Sequence, residues 1–200
     1  MKKEVVIVSL FIFIINTVLV ITNCFVVIDE LMASLATLIQ NNILTTIVEG
    51  ITFLGNTSTI VVFNAAIILF MLFKKKYQLL VLPIASTLSG AINTGLKYLF
   101  TRPRPEGIAL IAQGGFSYPS GHAAISILFY GTIWYLLSKS NIKFRKFYMA
   151  LCIMLMILIL LSRVYLGVHF FSDIIGGVAL GFTIIPLILM VFDKITTKGR

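Results

Sequence analysis

The chain has 200 residues, 59% of them hydrophobic, and its mean hydropathy is +1.05. This composition excludes a water-soluble domain of this length, because apolar runs long enough to span a bilayer recur along the whole chain. The formal net charge of +9 does not indicate nucleic-acid binding, since most Lys and Arg residues lie in short clusters between or beyond the apolar runs. We therefore expect an all-α, polytopic membrane protein.

The first apolar run, at about residues 5–27, is predicted to be the first membrane span. It is long and lacks a small-x-small cleavage site, so we expect it to persist as a helix rather than to be removed as a signal peptide. Residues 29–55 differ, since Leu31, Leu35 and Leu38 recur at helical spacing among polar residues. This pattern predicts an amphipathic helix or helix pair at the outer membrane interface.

Five further apolar runs predict spans at about residues 57–73, 79–98, 119–138, 148–165 and 169–192. Basic residues cluster at the predicted inner ends of the spans, at residues 2–3, 74–76, 139–146 and 194–200. Positive clusters of this kind mark cytoplasmic loops. We therefore predict one domain over residues 1–200, with six spans in the cell membrane and both termini in the cytoplasm.

Four cations lie apart from the cytoplasmic clusters, and the six-span arrangement puts all of them at the outer face: Lys97, Arg102, Arg104 and Arg163. His122 and His169, the two histidines of the chain, begin spans on the same face. A single such cation would be a snorkelling anchor at a helix end, and we interpret Arg102 mainly as a solvated loop charge. Ionisable groups near membrane depth are costly, however, so the group as a whole predicts a functional site.

The loop at residues 99–118 is the longest between neighbouring spans, and its Pro and Gly content predicts a structured, non-helical segment. Cys24 and Cys152 lie in different apolar segments without metal-like spacing, so we expect two free, buried side chains. The sequence places no carboxylate pair and no set of His and Cys residues near the outer-face cations. We therefore expect neither a metal ion nor another cofactor, with arginine and lysine supplying the positive charge.

The segment Tyr118-Pro119-Ser120-Gly121-His122 stands where the apolar helix of the fourth span begins. A helix start offers free backbone N–H groups and the positive end of the helix dipole, which favour a bound anion. Pro119 suits the first helical turn, and Gly121 allows a ligand to approach the backbone closely. The segment therefore predicts an anion site, with Ser120 and the Gly121 N–H as donors.

Removal of a phosphate group from an alcohol requires neutralised charge, an in-line nucleophile and a proton for the leaving oxygen. Lys97, Arg104 and Arg163 would supply the charge, and the arginines can contact phosphate oxygens with a forked pair of N–H groups. His169 is the candidate nucleophile. Asp173, one helical turn later, could hold one ring nitrogen so that the other points at phosphorus.

Three motifs follow each other along the chain: Lys97-x6-Arg104-Pro105, Pro119-Ser120-Gly121-His122 and Ser162-Arg163-x5-His169-x3-Asp173. Together they resemble the three-part signature of the type 2 phosphatidic acid phosphatase (PAP2) superfamily, and the second and third motifs are highly specific. The resemblance covers residues 97–173 by motif and nearly the whole chain by its six-span layout. The short length is most similar to that of small bacterial members, which act on phosphatidylglycerophosphate or undecaprenyl diphosphate.

The resemblance implies a membrane enzyme that removes phosphate from a lipid at the outer face, with phosphatidylglycerophosphate or phosphatidate as the substrate. It also implies a phosphohistidine intermediate at His169 and a general-acid role for His122. An undecaprenyl-diphosphate phosphatase that recycles the cell-wall lipid carrier is the nearest alternative. An anion transporter is an alternative of another class, but it would need polar groups through the membrane, where several spans are almost purely apolar.

Overall fold

The computed structural model describes residues 2–74 and 77–198. These residues form eight α-helices, one short 3₁₀ helix at Tyr77–Leu80 and no β-strand, which confirms the predicted all-α class. The helices are α1 (Lys2–Ile21), α2 (Val26–Leu38), α3 (Asn42–Phe53), α4 (Thr57–Lys74), α5 (Val81–Phe100), α6 (Gly121–Ser138), α7 (Arg145–Tyr165) and α8 (Phe171–Lys198). Residues 75, 76, 199 and 200, which the sequence assigns to two basic cytoplasmic clusters, lie outside the described residues.

Four of the described helices are long and apolar enough to cross a bilayer: Lys3–Ile21 of α1, all of α4, all of α7 and Phe171–Val191 of α8. Large apolar side chains such as Ile7 and Phe11 are exposed on α1, as expected for a surface that contacts lipid. α5 and α6, with 20 and 18 residues, are not among these four helices. The chain is therefore a helical bundle with several membrane-type helices.

Helix α6 lies at the centre of the bundle. Every side chain from residue 123 to residue 130 is buried, and α5, α7 and α8 pack around it, as is typical of a helix that is apolar on all sides. α8 approaches α6 closely at Gly177, where an added Cβ would lie 2.5 Å from the carbonyl oxygen of Ser120. This approach lets the Ser120 amide donate a hydrogen bond of 3.0 Å to the Asp173 carbonyl, which joins the start of α6 to the first turn of α8.

The first apolar run does not continue as one helix beyond Ile21. Asn23 adopts a left-handed conformation with a φ of 57°. Asn tolerates this conformation better than most residues, so it ends the helix, and α2 begins at Val26. Cys24 lies in this turn and is exposed, so the prediction that both cysteines are buried is wrong for Cys24 and correct for Cys152.

The helix pair predicted over residues 29–55 corresponds to α2, which begins three residues earlier at Val26, and α3. These helices have 13 and 12 residues and are too short to span a bilayer. The Asn41 side chain accepts a hydrogen bond of 2.9 Å from the Leu44 amide and so caps the start of α3. α2 packs against α7 and α8, and α3 packs against α7. The pair thus supports the two helices that flank the third motif, and its location at the outer interface stays a prediction.

The segment between α5 and α6, residues 101–120, is non-helical, as predicted. The Ser117 amide donates a hydrogen bond of 2.8 Å to the Arg102 carbonyl, and the Leu110 amide donates one of 3.0 Å to the Leu166 carbonyl between α7 and α8. These bonds hold the segment over the end of the bundle at which α6 and α8 begin. Its side chains therefore reach the first turns of both helices.

Candidate active site

His169 and Asp173 form a buried pair at the start of α8. Nδ1 of His169 lies 3.3 Å from Oδ2 of Asp173, and the two residues are 3% and 0% exposed. The Phe170 amide donates a hydrogen bond of 2.9 Å to the same carboxylate oxygen and orients the carboxylate. With the Nδ1 proton directed at Asp173, Nε2 carries the free lone pair of the imidazole. The pair that the spacing predicts is thus brought together in space.

The loop between α7 and α8 holds His169 outside both helices, in surroundings that keep its ring neutral. Burial lowers the pKa of His169 to about 4, although the hydrogen bond to Asp173 acts in the opposite direction. The imidazole is therefore uncharged at neutral pH and retains the lone pair that a nucleophile requires.

Arg104 lies in the segment between α5 and α6, beside His169. Its Nη1 donates a hydrogen bond of 2.6 Å to the Val168 carbonyl and lies 3.2 Å from Nε2 of His169. Its Nε and Nη2 donate to backbone carbonyls of residues 114–116. Burial lowers the pKa of the Arg104 guanidinium from its usual high value, and the group stays charged at neutral pH. Backbone carbonyls thus hold a cation beside the nitrogen that would attack phosphorus.

Lys97 and Arg163 come from the last turns of α5 and α7. The Lys97 ammonium donates a hydrogen bond to the Phe116 carbonyl. Arg163 is fully buried; its Nη1 donates a hydrogen bond of 2.7 Å to Oγ1 of Thr52, and its Nη2 donates one of 2.8 Å to Oε1 of Gln113. Its Nε has no hydrogen-bond partner in the part of the chain that the structure describes. Three separate segments therefore bring the three predicted cations to one end of the bundle.

The second motif forms the start of α6, with Ser120 as the N-cap residue before Gly121. Oγ of Ser120 accepts a hydrogen bond of 3.4 Å from the Ala123 amide, so this side chain satisfies a free N–H group of the helix. His122 lies in the first turn, and its Nε2 is 2.7 Å from Oδ1 of Asn56. Because Oδ1 can only accept a hydrogen bond, Nε2 of His122 carries a proton.

A cavity of about 620 Å³ opens between α4, α5 and α6, and five predicted site residues line it: Lys97, Arg104, Gly121, His122 and His169. Further polar side chains of its wall come from α4 and α5: Thr57, Asn64, Ser86, Ser89 and Asn93. Three further site residues lie behind this wall: Ser120, Arg163 and Asp173. Arg163 contacts Gln113 and Asp173 contacts His169, and both of these partners line the cavity. A cavity of this volume can hold a phosphate group together with the organic group that it is attached to.

Arg102 is not the solvated loop charge that the sequence suggests. Its side chain is 17% exposed, its Nη2 donates a hydrogen bond of 2.9 Å to Oδ2 of Asp29, and its Nη1 donates one of 2.6 Å to Oδ1 of Asp173. The guanidinium also lies over the Phe170 ring, 4.2 Å from its centroid. The interpretation fails because Asp29 is 73 positions away along the chain, so no local pattern indicates the pair.

Sequence reasoning also missed the neutral partners of the charged site residues: Thr52, Asn56 and Gln113. Asn56 immediately precedes α4, and Gln113 stands beside two glycines in the long loop. A polar side chain at such a helix start or loop is the signal that could have indicated these two. Thr52 lies within the apolar α3 and carries no comparable signal.

Comparison with known proteins agrees with this geometry. A family model described as the PAP2 superfamily matches residues 78–196. Phosphatidylglycerophosphatase B of Bacillus subtilis (strain 168) is 33% identical in an alignment 196 residues long, which covers 94% of this chain and 95% of that protein. A crystal structure of the first transmembrane PAP2 type phosphatidylglycerolphosphate phosphatase from Bacillus subtilis has a TM-score of 0.88 at 30% identity and covers 95% of this chain and 96% of that chain.

The fold alone is also similar to the crystal structure of Aquifex aeolicus LpxE, with a TM-score of 0.63 at 24% identity over 82% of this chain and 93% of that chain. The apolar helices and the cluster of histidines and cations at one end of the bundle define a helical membrane phosphatase. The chain belongs to the PAP2 superfamily, so the resemblance carried by the three motifs is confirmed. Family membership also confirms the predicted enzyme class, a lipid phosphate phosphatase, over the alternative of an anion transporter.

Proposed function

We propose that this protein removes the phosphate group from a lipid phosphate monoester, of the phosphatidylglycerophosphate or phosphatidate type, through a phosphohistidine at His169. The observation that carries the proposal is the buried His169 ring, held by Asp173 on one side and adjacent to Arg104 on the other. The name of the Bacillus subtilis relative, phosphatidylglycerophosphatase B, supports the choice of substrate.

In the proposed reaction the phosphate binds between Lys97, Arg104 and the Gly121 amide, which neutralise its charge. Nε2 of His169 attacks phosphorus, so that an N–P bond forms as the P–O bond to the lipid alcohol breaks. Protonated His122 gives its proton to the leaving oxygen. Water then attacks the phosphohistidine and returns a proton to His122, and inorganic phosphate leaves as the N–P bond breaks.

Arg163 contributes to this site from behind its wall. Its fixed charge lies next to Gln113, which lines the cavity, and its Nε is a donor without a partner in the described part of the chain. A buried guanidinium with an unused N–H group favours an anion nearby, since an unpaired buried donor is costly. We expect a phosphate oxygen to supply that acceptor.

The substrate and the absence of a metal requirement can be tested together. The purified protein in detergent should release phosphate from phosphatidylglycerophosphate and phosphatidate, and activity should persist in excess EDTA, because Lys97 and Arg104 supply the charge. Vanadate should inhibit, since it adopts the five-coordinate geometry of phosphoryl transfer. Undecaprenyl diphosphate is measured in the same panel, with no-enzyme samples as controls. Release from the diphosphate alone, or activity that returns only with Mg²⁺, would contradict the proposal.

We also propose that α1 and α4 to α8 are six membrane spans, with both termini in the cytoplasm and the active site on the outer face. Basic residues that do not belong to the site support this orientation, because Lys74 and the segment 139–146 lie at the ends of α4, α6 and α7 that are remote from the motifs. Positive residues of this kind are retained in the cytoplasm during insertion.

Single cysteines test this topology in a variant that lacks Cys24 and Cys152. Ala112→Cys lies on the exposed loop near the site, and Asn141→Cys lies on the exposed turn between α6 and α7. A membrane-impermeant thiol reagent on intact cells should label position 112 and not position 141. In permeabilised cells both should react, which controls for accessibility. Label at position 141 in intact cells, with or without label at position 112, would exclude the proposed orientation.

A further inference from the structure

Helix α2 contributes a buried carboxylate to the surroundings of the active site. Asp29 is 3% exposed and precedes residues 78–196, the part of the chain that the family model matches. Its Oδ1 accepts a hydrogen bond of 2.9 Å from the Ser172 amide, and its Oδ2 accepts one of 2.7 Å from the Ser172 hydroxyl. A buried charge is costly unless it is paired and hydrogen-bonded, and here Arg102 supplies the counter-charge at 2.9 Å.

Arg102 connects this carboxylate to the candidate catalytic pair. While its Nη2 donates to Asp29, its Nη1 donates to Oδ1 of Asp173 at 2.6 Å and to the Ser172 hydroxyl at 2.8 Å. The planar guanidinium thus presents one nitrogen to each of two carboxylates, a geometry that lysine cannot reproduce. Stacking on the Phe170 ring further restricts its orientation.

The two oxygens of Asp173 consequently have separate partners. Oδ1 accepts from Arg102, whereas Oδ2 accepts from the Phe170 amide and faces Nδ1 of His169. Rotation of the Asp173 carboxylate would break contacts on both sides. The direction of the imidazole, and with it the direction of Nε2, therefore depends on a guanidinium that Asp29 holds in place.

We propose that Asp29 and Arg102 are positioning residues for the reaction: Asp29 of α2 fixes Arg102, and Arg102 fixes the Asp173 carboxylate that orients His169. This inference rests on the proposed function, in which His169 is the nucleophile. Partners of this kind, one contact removed from the reacting group, commonly affect activity without touching the substrate. Neither Asp29 nor Arg102 lines the cavity, so substrate affinity does not depend on them directly.

The network makes a quantitative prediction for kcat and KM. Asp29→Asn and Arg102→Gln should each lower kcat for a lipid phosphate by about 10- to 100-fold, with KM changed by less than about threefold. The double variant should be no slower than the slower single variant, because both residues act through the same carboxylate. Glu30→Gln is the matched control, since it removes the same charge from an exposed neighbour on α2 and should retain full activity.

The assay includes thermal unfolding in detergent and the His169→Ala variant, so that three outcomes are distinguished. Folded Asp29→Asn and Arg102→Gln proteins with unchanged kcat, or with losses that multiply in the double variant, would overturn the positioning role. A fall in kcat that only follows the loss of folded protein would overturn it as well. The double variant removes both members of the buried charge pair. Its kcat can therefore still be compared with that of the wild type if a single variant fails to fold. Substantial turnover by His169→Ala would instead contradict the proposed function itself.

Discussion

We expect His169→Ala to lose at least about 10⁴-fold in kcat, because the variant has no group that can form the covalent intermediate. The fold should persist, since His169 lies in a loop and its partner Asp173 retains Arg102 and the Phe170 amide. Phosphate release from a lipid phosphate monoester measures the loss. Rapid quenching of the wild-type enzyme with labelled substrate should trap one phosphate per protein as an alkali-stable, acid-labile adduct, and peptide mapping should locate it at His169.

Two controls sharpen this result. His122→Ala retains the nucleophile and should still acquire label, whereas His169→Ala should acquire none at any reaction time. The unfolding temperature of each variant shows whether the protein is intact. A labelled His169→Ala protein would mean that another residue forms the covalent intermediate. An unlabelled wild type that turns over at full rate would mean that water attacks the lipid phosphate directly.

The second large effect is expected at His122, and it should depend on the leaving group. His122→Ala should slow phosphoenzyme formation from a lipid phosphate by about 10²- to 10⁴-fold, the usual contribution of a general acid. With a nitrophenyl phosphate the leaving oxygen needs no proton, so formation of the phosphoenzyme should slow by less than about tenfold. Because His122 also acts as base toward water, the variant should give a burst of one nitrophenolate per enzyme followed by slow turnover.

Asn56→Ala serves as the comparison variant, since it removes the hydrogen-bond partner of His122 and leaves the imidazole in place. It should give a smaller loss with the same dependence on leaving group. Equal losses of His122→Ala with the lipid and the nitrophenyl substrate would indicate that His122 binds the phosphate rather than protonating the leaving oxygen.

The features that the sequence predicts correctly are those set by short-range spacing. The apolar runs determine the helices, and the spacing of four positions from His169 to Asp173 brings the ring, which precedes α8, against the carboxylate in the first turn of α8. Lys97, Arg104 and Arg163 lie outside the basic clusters, which indicates that they belong together. Helices α6 and α7 separate Arg104 from Arg163, and two crossings of the bundle return the chain to the same end. Local pattern and topology therefore suffice to gather most of the site residues.

The features that the sequence does not predict depend on contacts between distant segments. Asn56 and His122 are 66 positions apart, and Arg163 and Thr52 are 111 positions apart. Neither spacing nor composition encodes which polar side chain of α2 or α3 will face a given cation, because the partners belong to segments far apart along the chain. The end of α1 is unpredicted for a different reason: the apolar run continues past Asn23, and only the left-handed backbone at that residue interrupts the helix.

The close approach of α8 to α6 has a consequence for mutational tolerance. The atom nearest to an added Cβ at Gly177 is the carbonyl oxygen of Ser120, which belongs to the backbone and cannot turn aside as a flexible side chain could. Even alanine, the smallest possible substitution, would force the two helices apart at the level of the second motif. The close packing of α8 on the start of α6 thus requires a residue without a side chain at position 177. Selection on this enzyme should accordingly be strict at a glycine that touches neither the substrate nor the nucleophile.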